Sequence, residues 1–200
     1  GMQAIDHVPG YAIEKVSTIY HWAALGGVYI VNVGGFRGQA AIELAKNFGN
    51  IKPHVQDGAG MIQGAASAVP EELQGRVEFM PHTLFEPQTV EAPVYFFRMV
   101  FRGLGDKYAV TVLKAQIPDR RPGVKILLQD VVMPEPGAIP LCRERVAGAV
   151  DLALECFSSG RERYLDEWKA LLAAADKQFA LHKAYVPEDS LLGILEVYWD

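Results

Sequence analysis

The chain is 200 residues long, half of them apolar, with a formal net charge of -5. That is enough apolar material for one sizeable core. The absence of a basic stripe argues against a nucleic-acid partner, and the absence of a long apolar run argues against a membrane span. The opening residues are read as carrying no signal peptide. Its two cysteines, Cys142 and Cys156, have neither zinc-ligand spacing nor the pattern of a disulfide framework, so a reduced, cytoplasmic setting is expected.

In chain order, residues 11–25 read as a helix stopped by Gly26-Gly27. A short apolar strand at 28–33 runs into Gly34-Gly35, and a helical pattern covers 39–48. Further strands are expected at 52–56, 76–80, 93–99 and 125–131, with a weak helical pattern at 60–66 and a clear one at 106–117. After Pro140 come helices at 141–156 and 164–175, then strands at 179–185 and 191–199 joined by the turn-rich Pro187-Glu188-Asp189-Ser190. The alternation predicts a parallel sheet with helices on both faces and an antiparallel hairpin at one edge. No internal repeat, low-complexity tract or linker interrupts it, so residues 1–200 are read as one domain.

The most informative stretch is Val31-Asn32-Val33-Gly34-Gly35-Phe36-Arg37-Gly38, which reads as strand, tight turn and helix start. Glycines at such a turn let a ligand approach the backbone, and the N–H groups opening a helix favour polar or anionic groups. Asp57 ends the next strand at about the separation expected of a ribose-binding carboxylate. Together they read as a nucleoside-cofactor site. A dinucleotide needs Gly-x-Gly-x-x-Gly, and Phe36 or Arg37 fills the third position, depending on which glycine starts the count. The lysine and hydroxyl of a P-loop are missing too. What remains is a smaller ligand with its charged end over the turn and its ribose at Asp57. The bland reading is a packing turn with a solvated aspartate.

These residues resemble a known family when taken with Val55-Gln56-Asp57, Arg76-Val77-Glu78-Phe79-Met80-Pro81-His82, Tyr95-Phe96-Phe97-Arg98, Asp106-Lys107-Tyr108-Ala109-Val110, Pro134-Glu135-Pro136-Gly137 and Gly160-Arg161-Glu162-Arg163. The family is the S-adenosylmethionine-dependent O-methyltransferases of plant and fungal small-molecule metabolism. The likeness is to their catalytic domain, and to the fungal branch above all. It implies the class I methyltransferase fold, which is α/β and Rossmann-like, with a seven-stranded sheet and an antiparallel C-terminal hairpin. It also implies S-adenosylmethionine as cofactor and a small-molecule substrate with an aromatic or polyketide-type hydroxyl. Members usually carry an N-terminal winged-helix domain that dimerises and caps the substrate. This chain is read as the catalytic domain without it, and a full-length parent is expected to be a homodimer. By position, Gly34, Gly35 and Gly38 form the methionine-end turn, and Gln56 and Asp57 face the ribose. His82-Thr83-Leu84-Phe85 border the adenine, which brings in Thr83 and Leu84, and Arg98 lies beside the cofactor.

Four departures from the family pattern matter. Asn32 replaces an acidic residue, Gly58-Ala59-Gly60 follows Asp57 in place of Leu-Pro, and Thr83 replaces an aspartate. These imply weaker cofactor binding. The fourth is Arg102-Gly103-Leu104, where the family has His-Asp-Trp with histidine as base. A free phenol has a pKa of about 10, so its methylation benefits from a base. Arginine stays protonated and has no acceptor atom, so Arg102 can bind or orient an anion but cannot take a proton. The flanking acidic positions, Asp130 and Glu162, are retained. Hence the candidate catalytic set is Arg102, Asp130 and Glu162, with methyl transfer expected to be impaired. Bland readings stand beside it: Arg102 as a loop arginine with any nearby acid, Asp130 as a strand-end cap, and Glu162 in a solvated run with Arg161 and Arg163. The histidines His7, His21, His54, His82 and His182 are read as structural. No residue spacing suggests a metal. Two other functions stay open: a non-methylating dehydratase or cyclase on the same fold, and a degenerate ligand-binding or partner-binding domain.

Overall fold

A computed structural model describes residues 10–116, 123–188 and 190–199. The apolar runs become seven strands: β1 (Val28–Val33), β2 (Ile51–Asp57), β3 (Glu78–Pro81), β4 (Val94–Arg98), β5 (Val124–Val131), β6 (Phe179–Tyr185) and β7 (Leu192–Trp199). They form one sheet in the order β3-β2-β1-β4-β5-β7-β6. The first five are mutually parallel, and β7 runs antiparallel to both β5 and β6. This is the sheet the residue pattern and the resemblance predict. Strand order reverses between β1 and β4, and open α/β sheets leave a ligand crevice at such a switch point.

The helices are α1 (Lys15–Ile19), α2 (Gln39–Asn47), α3 (Ala59–Ile62), α4 (Asp106–Ala115), α5 (Leu141–Ser158) and α6 (Leu165–Ala175). Every residue of β4 is buried, as expected of a central parallel strand covered on both faces. Tyr95, Phe97, Ile126 and Leu128 pack against Val112 and Leu113 of α4 and Trp168, Leu171 and Leu172 of α6. Ile30, Phe96 and Leu127 pack against Val16, Tyr20, Trp22 and Leu44 on the other face.

Several boundaries move. The helix expected at 11–25 is a short α1 and a 3-10 turn, Trp22–Leu25, because Tyr20 is extended (φ -124°, ψ 152°). Tyr20 and Trp22 bury their rings and find distant partners: Tyr20 donates to Glu196 Oε1 at 2.8 Å. Tertiary contacts override a run that is only moderately helix-prone. Val16 and Tyr20 are therefore core residues. An exposed apolar face lies instead on α5, where Ala147 is the buried residue and Leu141, Leu152 and Phe157 are exposed, Phe157 at 91%. The weak helix at 60–66 shrinks to α3, which Gly64 (φ +72°) follows two residues after its last. The expected positions of His7, Ile117 and Asp189 lie outside the described residues.

Candidate active site

The crevice begins at the carboxyl end of β1. Gly34 adopts φ +68°, and a Cβ there would sit 2.7 Å from Val100 Cγ2. A Cβ on Gly35 would lie 2.6 Å from Asn32 Oδ1 and 2.8 Å from Val55 Cγ1, so only glycine fits the turn. The N–H groups of both glycines reach the Gln56 carbonyl, at 2.8 and 3.2 Å, which folds the turn over the end of β2. Phe36 follows at φ +52°, a left-handed conformation unusual for a non-glycine residue. Its N–H donates to Asp57 Oδ2 at 2.8 Å, and Gly58 N–H donates to Asp57 Oδ1 at 2.7 Å. Asn32, Gly34, Gly35, Phe36, Gln39, Ala40 and Arg98 line the resulting cavity. Asn32 Oδ1 is buried there with no hydrogen-bond partner among the described residues.

A second cluster lies at the ends of β4 and β5. Arg102 is buried and donates through Nη2 to Glu162 Oε1. Glu162 and Asp130 are each only 3% exposed. Asp130 Oδ2 accepts from Phe101 N–H at 3.0 Å. Burial pushes the Asp130 carboxyl up to about 6, against the pull of Arg102. Burial also pushes Glu162 up, to about 8, with Arg102 opposing and the nearby Asp130 adding to the rise. Burial disfavours the Arg102 cation, but Glu162, Tyr11 and Asp130 outweigh it and keep the guanidinium charged. Glu162 Oε2 and Arg102 Nε have no partner among the described residues.

The O-methyltransferase domain model matches residues 2–177. The chain belongs to the O-methyltransferase domain family. It is 38% identical to the grayanic acid biosynthesis cluster O-methyltransferase of Cladonia grayi, over 99% of this chain and 44% of that protein. The chain thus spans less than half the length of that curated relative. Among solved structures it resembles the O-methyltransferase NcsB1 of neocarzinostatin biosynthesis, in complex with S-adenosyl-L-homocysteine and 1,4-dihydroxy-2-naphthoic acid. That likeness has a TM-score of 0.79 and 25% identity, and covers 98% of this chain and 55% of that one. It also resembles a pericyclic reaction enzyme, with a TM-score of 0.75 and 26% identity over 94% of this chain and 46% of that one.

Within this O-methyltransferase domain, the predicted cofactor residues divide into two groups. Gly34, Gly35, Asp57 and Arg98 meet around the glycine turn. Leu84 approaches it as well, with Cδ2 3.5 Å from where a Gly34 Cβ would be. Thr83 is exposed on the loop after β3. Gly38 (φ +81°) is the left-handed N-cap of α2, and a Cβ there would strike the Phe79 ring at 2.8 Å; its role is in packing behind the turn. Gln56 does not face the crevice. Alternation along β2 puts its side chain opposite Asp57, buried in an amide ladder. Gln56 Nε2 donates to Gln88 Oε1 at 2.9 Å, Gln88 Nε2 donates back to Gln56 Oε1 at 2.6 Å and to Gln116 Oε1 at 3.1 Å, and Gln116 Nε2 donates to the Leu84 carbonyl.

Arg102, Asp130 and Glu162 are brought together by one loop. Arg163, 1% exposed, donates to the Phe101 carbonyl at 2.9 Å, the Leu104 carbonyl at 2.7 Å and Asp106 Oδ1 at 2.8 Å. A Cβ on Gly160 would lie 2.2 Å from the Arg102 carbonyl, so the chain can pass this closely only at glycine. The solvated-run reading of Glu162 and Arg163 therefore fails. Sequence reasoning missed Tyr11, which joins the two halves of the site. Its carbonyl accepts from Arg98 Nη2 at 2.7 Å, and its ring lies 5.1 Å from the Arg102 guanidinium carbon. No sequence pattern signals a contact 91 residues apart.

Proposed function

We propose that this domain binds S-adenosylmethionine over the glycine turn and methylates a hydroxyl of a small aromatic or polyketide-type molecule. The observation that carries this reading is the crevice at Gly34 and Gly35, bordered by Asp57 and Arg98, in a chain of the O-methyltransferase family. S-adenosylmethionine supplies an activated methyl group on a positively charged sulfur. Asn32 Oδ1 is a buried acceptor suited to an ammonium donor, which the amino-acid end of that molecule carries. Asp57 keeps lone pairs beyond its two backbone bonds, so ribose hydroxyls can donate to it. The ladder from Gln56 to Gln116 supports this site from behind by fixing the Leu84 backbone beside the turn.

Arg102 binds the acceptor oxygen but cannot take its proton. Glu162 Oε2 and Asp130 Oδ1 are the unbonded carboxyl oxygens left for that role, and burial pushes their carboxyls up to about 8 and about 6, toward the range in which a general base works. Thr83 offers a hydroxyl and no carboxylate to the nucleoside. The loss of a charge-assisted hydrogen bond there costs about 1.5–3 kcal/mol, so Thr83→Asp should tighten S-adenosylmethionine binding roughly tenfold to a hundredfold. The exposed apolar residues of α5 fit a protein in which more chain packs on that helix, namely an N-terminal winged-helix domain in a homodimer. Sedimentation of a full-length parent tests that, and a parent monomeric at high concentration rejects it.

A second reading is favoured by Arg102 itself and by the likeness to a pericyclic reaction enzyme. Here Arg102 would donate the hydrogen bond that promotes dehydration or cyclisation, and bound S-adenosylmethionine would supply only a fixed positive charge. One assay separates the two: incubation with S-adenosylmethionine and a panel of phenols, followed by mass spectrometry. Release of S-adenosylhomocysteine supports methyl transfer. A converted acceptor without that release supports the second reading.

A further inference from the structure

The N-terminal segment crosses the carboxyl ends of β4 and β5, where the proposed acceptor belongs. Leu191 N–H donates to the Gly10 carbonyl at 3.0 Å, and Gly10 takes φ +92°. Tyr11 then turns inward until it is 7% exposed, among Met99, Val131 and Leu192. Met99 shapes this pocket from a left-handed conformation, φ +57°, which ends β4 abruptly. Strained non-glycine residues of this kind gather at functional sites. The Tyr11 ring faces the Arg102 guanidinium, and its hydroxyl accepts from Arg102 Nη2 at 3.5 Å. Its backbone carbonyl meanwhile reaches Arg98 on the glycine-turn cavity. A phenol is therefore held between the proposed cofactor crevice and the cluster of Arg102, Glu162 and Asp130.

We propose that Tyr11 fills a phenol-binding subsite from within the chain: a monocyclic phenol takes its place, with the ring on Met99, Val131 and Leu192 and the oxygen on Arg102. The inference deepens the proposed function by naming the ring and the group that holds its oxygen, and its link to methylation rests on that reading. Arg102 supplies what a phenol oxygen needs, a charged donor and a flat cation to stack on. Burial raises the Tyr11 hydroxyl above its ordinary value, with Arg102 opposing. As an internal occupant, Tyr11 lowers the apparent affinity for any external phenol by the fraction of time it stays seated.

The test uses para-cresol, which is the tyrosine side chain as a free molecule, and toluene, which lacks the hydroxyl. Binding is measured by calorimetry without S-adenosylmethionine on the native protein, Tyr11→Ala, Tyr11→Phe and the pair Tyr11→Ala with Arg102→Leu. Tyr11→Leu replaces Tyr11→Ala if the alanine form does not fold. The opened variant should bind para-cresol about tenfold or more tightly than the native protein or Tyr11→Phe. It should also prefer para-cresol over toluene by about tenfold, the worth of a hydrogen bond to a charged group, and lose that preference without Arg102. No gain in a folded, opened variant overturns the proposal, and so does equal binding of toluene. Phenol binding in the opened variant, together with no S-adenosylhomocysteine release when S-adenosylmethionine and the phenol panel are supplied, would reject the methylation reading and keep this one. Methylation with no phenol bound in the opened variant would do the reverse.

Discussion

Two buried charge clusters sit near opposite ends of β5, and they are built on different terms. At its start, Glu196 of β7 is 4% exposed and every oxygen is bonded: Oε1 to Lys125 Nζ at 2.7 Å, Tyr20 at 2.8 Å and Tyr198 at 3.1 Å, and Oε2 to Tyr185 at 3.0 Å. Burial works against its charge, but the hydrogen bonds from Lys125, Tyr20 and Tyr185 win and hold the carboxyl below its ordinary value. Near the end of β5, Asp130 and Glu162 share the cation Arg102, each keep one oxygen unbonded among the described residues, and are pushed upward instead. A satisfied buried cluster ties the N-terminal segment to the terminal hairpin and belongs to the fold. An under-satisfied one is costly to the fold and able to move protons, and it lies at the ligand-binding end of the sheet.

The largest effect that can break this contrast is Glu196→Ala. It strands Lys125 and three phenols, and should lower unfolding free energy by about 3–5 kcal/mol in denaturant titration. A loss below about 1 kcal/mol would make the cluster ornamental.

Asp130 comes next. Its folded pKa lies above the unfolded value, so its stabilising contribution is complete below about pH 4 and is lost as pH rises through about 6. Roughly 3 kcal/mol of pH dependence should vanish in Asp130→Asn, read from unfolding curves across that range. For Glu196 the sign reverses. Its depressed pKa gives stability that is present at neutral pH and lost in acid, so Glu196→Gln should flatten the acid limb only.

Arg102→Leu should cost less than Glu196→Ala, on the order of 1–2 kcal/mol at pH 6, because the raised carboxyls can keep protons there. The cost should grow toward pH 9 as they are forced to ionise without a partner. A cost independent of pH would contradict the assignment. Smallest is Tyr198→Phe, which removes one of four bonds to Glu196 and should cost about 1 kcal/mol by thermal unfolding.

Much of this was legible in the residues. The glycine turn, Asp57 and the strand–helix alternation are local patterns, and they predicted the sheet and its crevice. The retained acids around Arg102 were visible through the resemblance, which pairs positions 60 residues apart. What escaped was set by distant partners. Tyr20 and Trp22 leave a helix because Glu196 and the core hold them. Gln56 turns away from the crevice because Gln88 and Gln116 meet it, although it is adjacent in sequence to Asp57. Arg163 looks like one charge in a run, yet it is buried against Trp168 and the loop carbonyls. Side-chain direction in a strand is readable from alternation; the partner waiting on either face is not.

The central claim is that the turn at Gly34–Gly35, closed by Asp57, holds S-adenosylmethionine. Calorimetric titration of the native protein and of Asp57→Asn tests it most directly. Asparagine can still accept the Phe36 N–H bond that shapes the turn, but it brings no charge to the ribose. The account predicts saturable one-to-one binding that weakens roughly tenfold to a hundredfold in Asp57→Asn, with the fold intact by circular dichroism. No binding to the native protein, or equal binding to both, would contradict it.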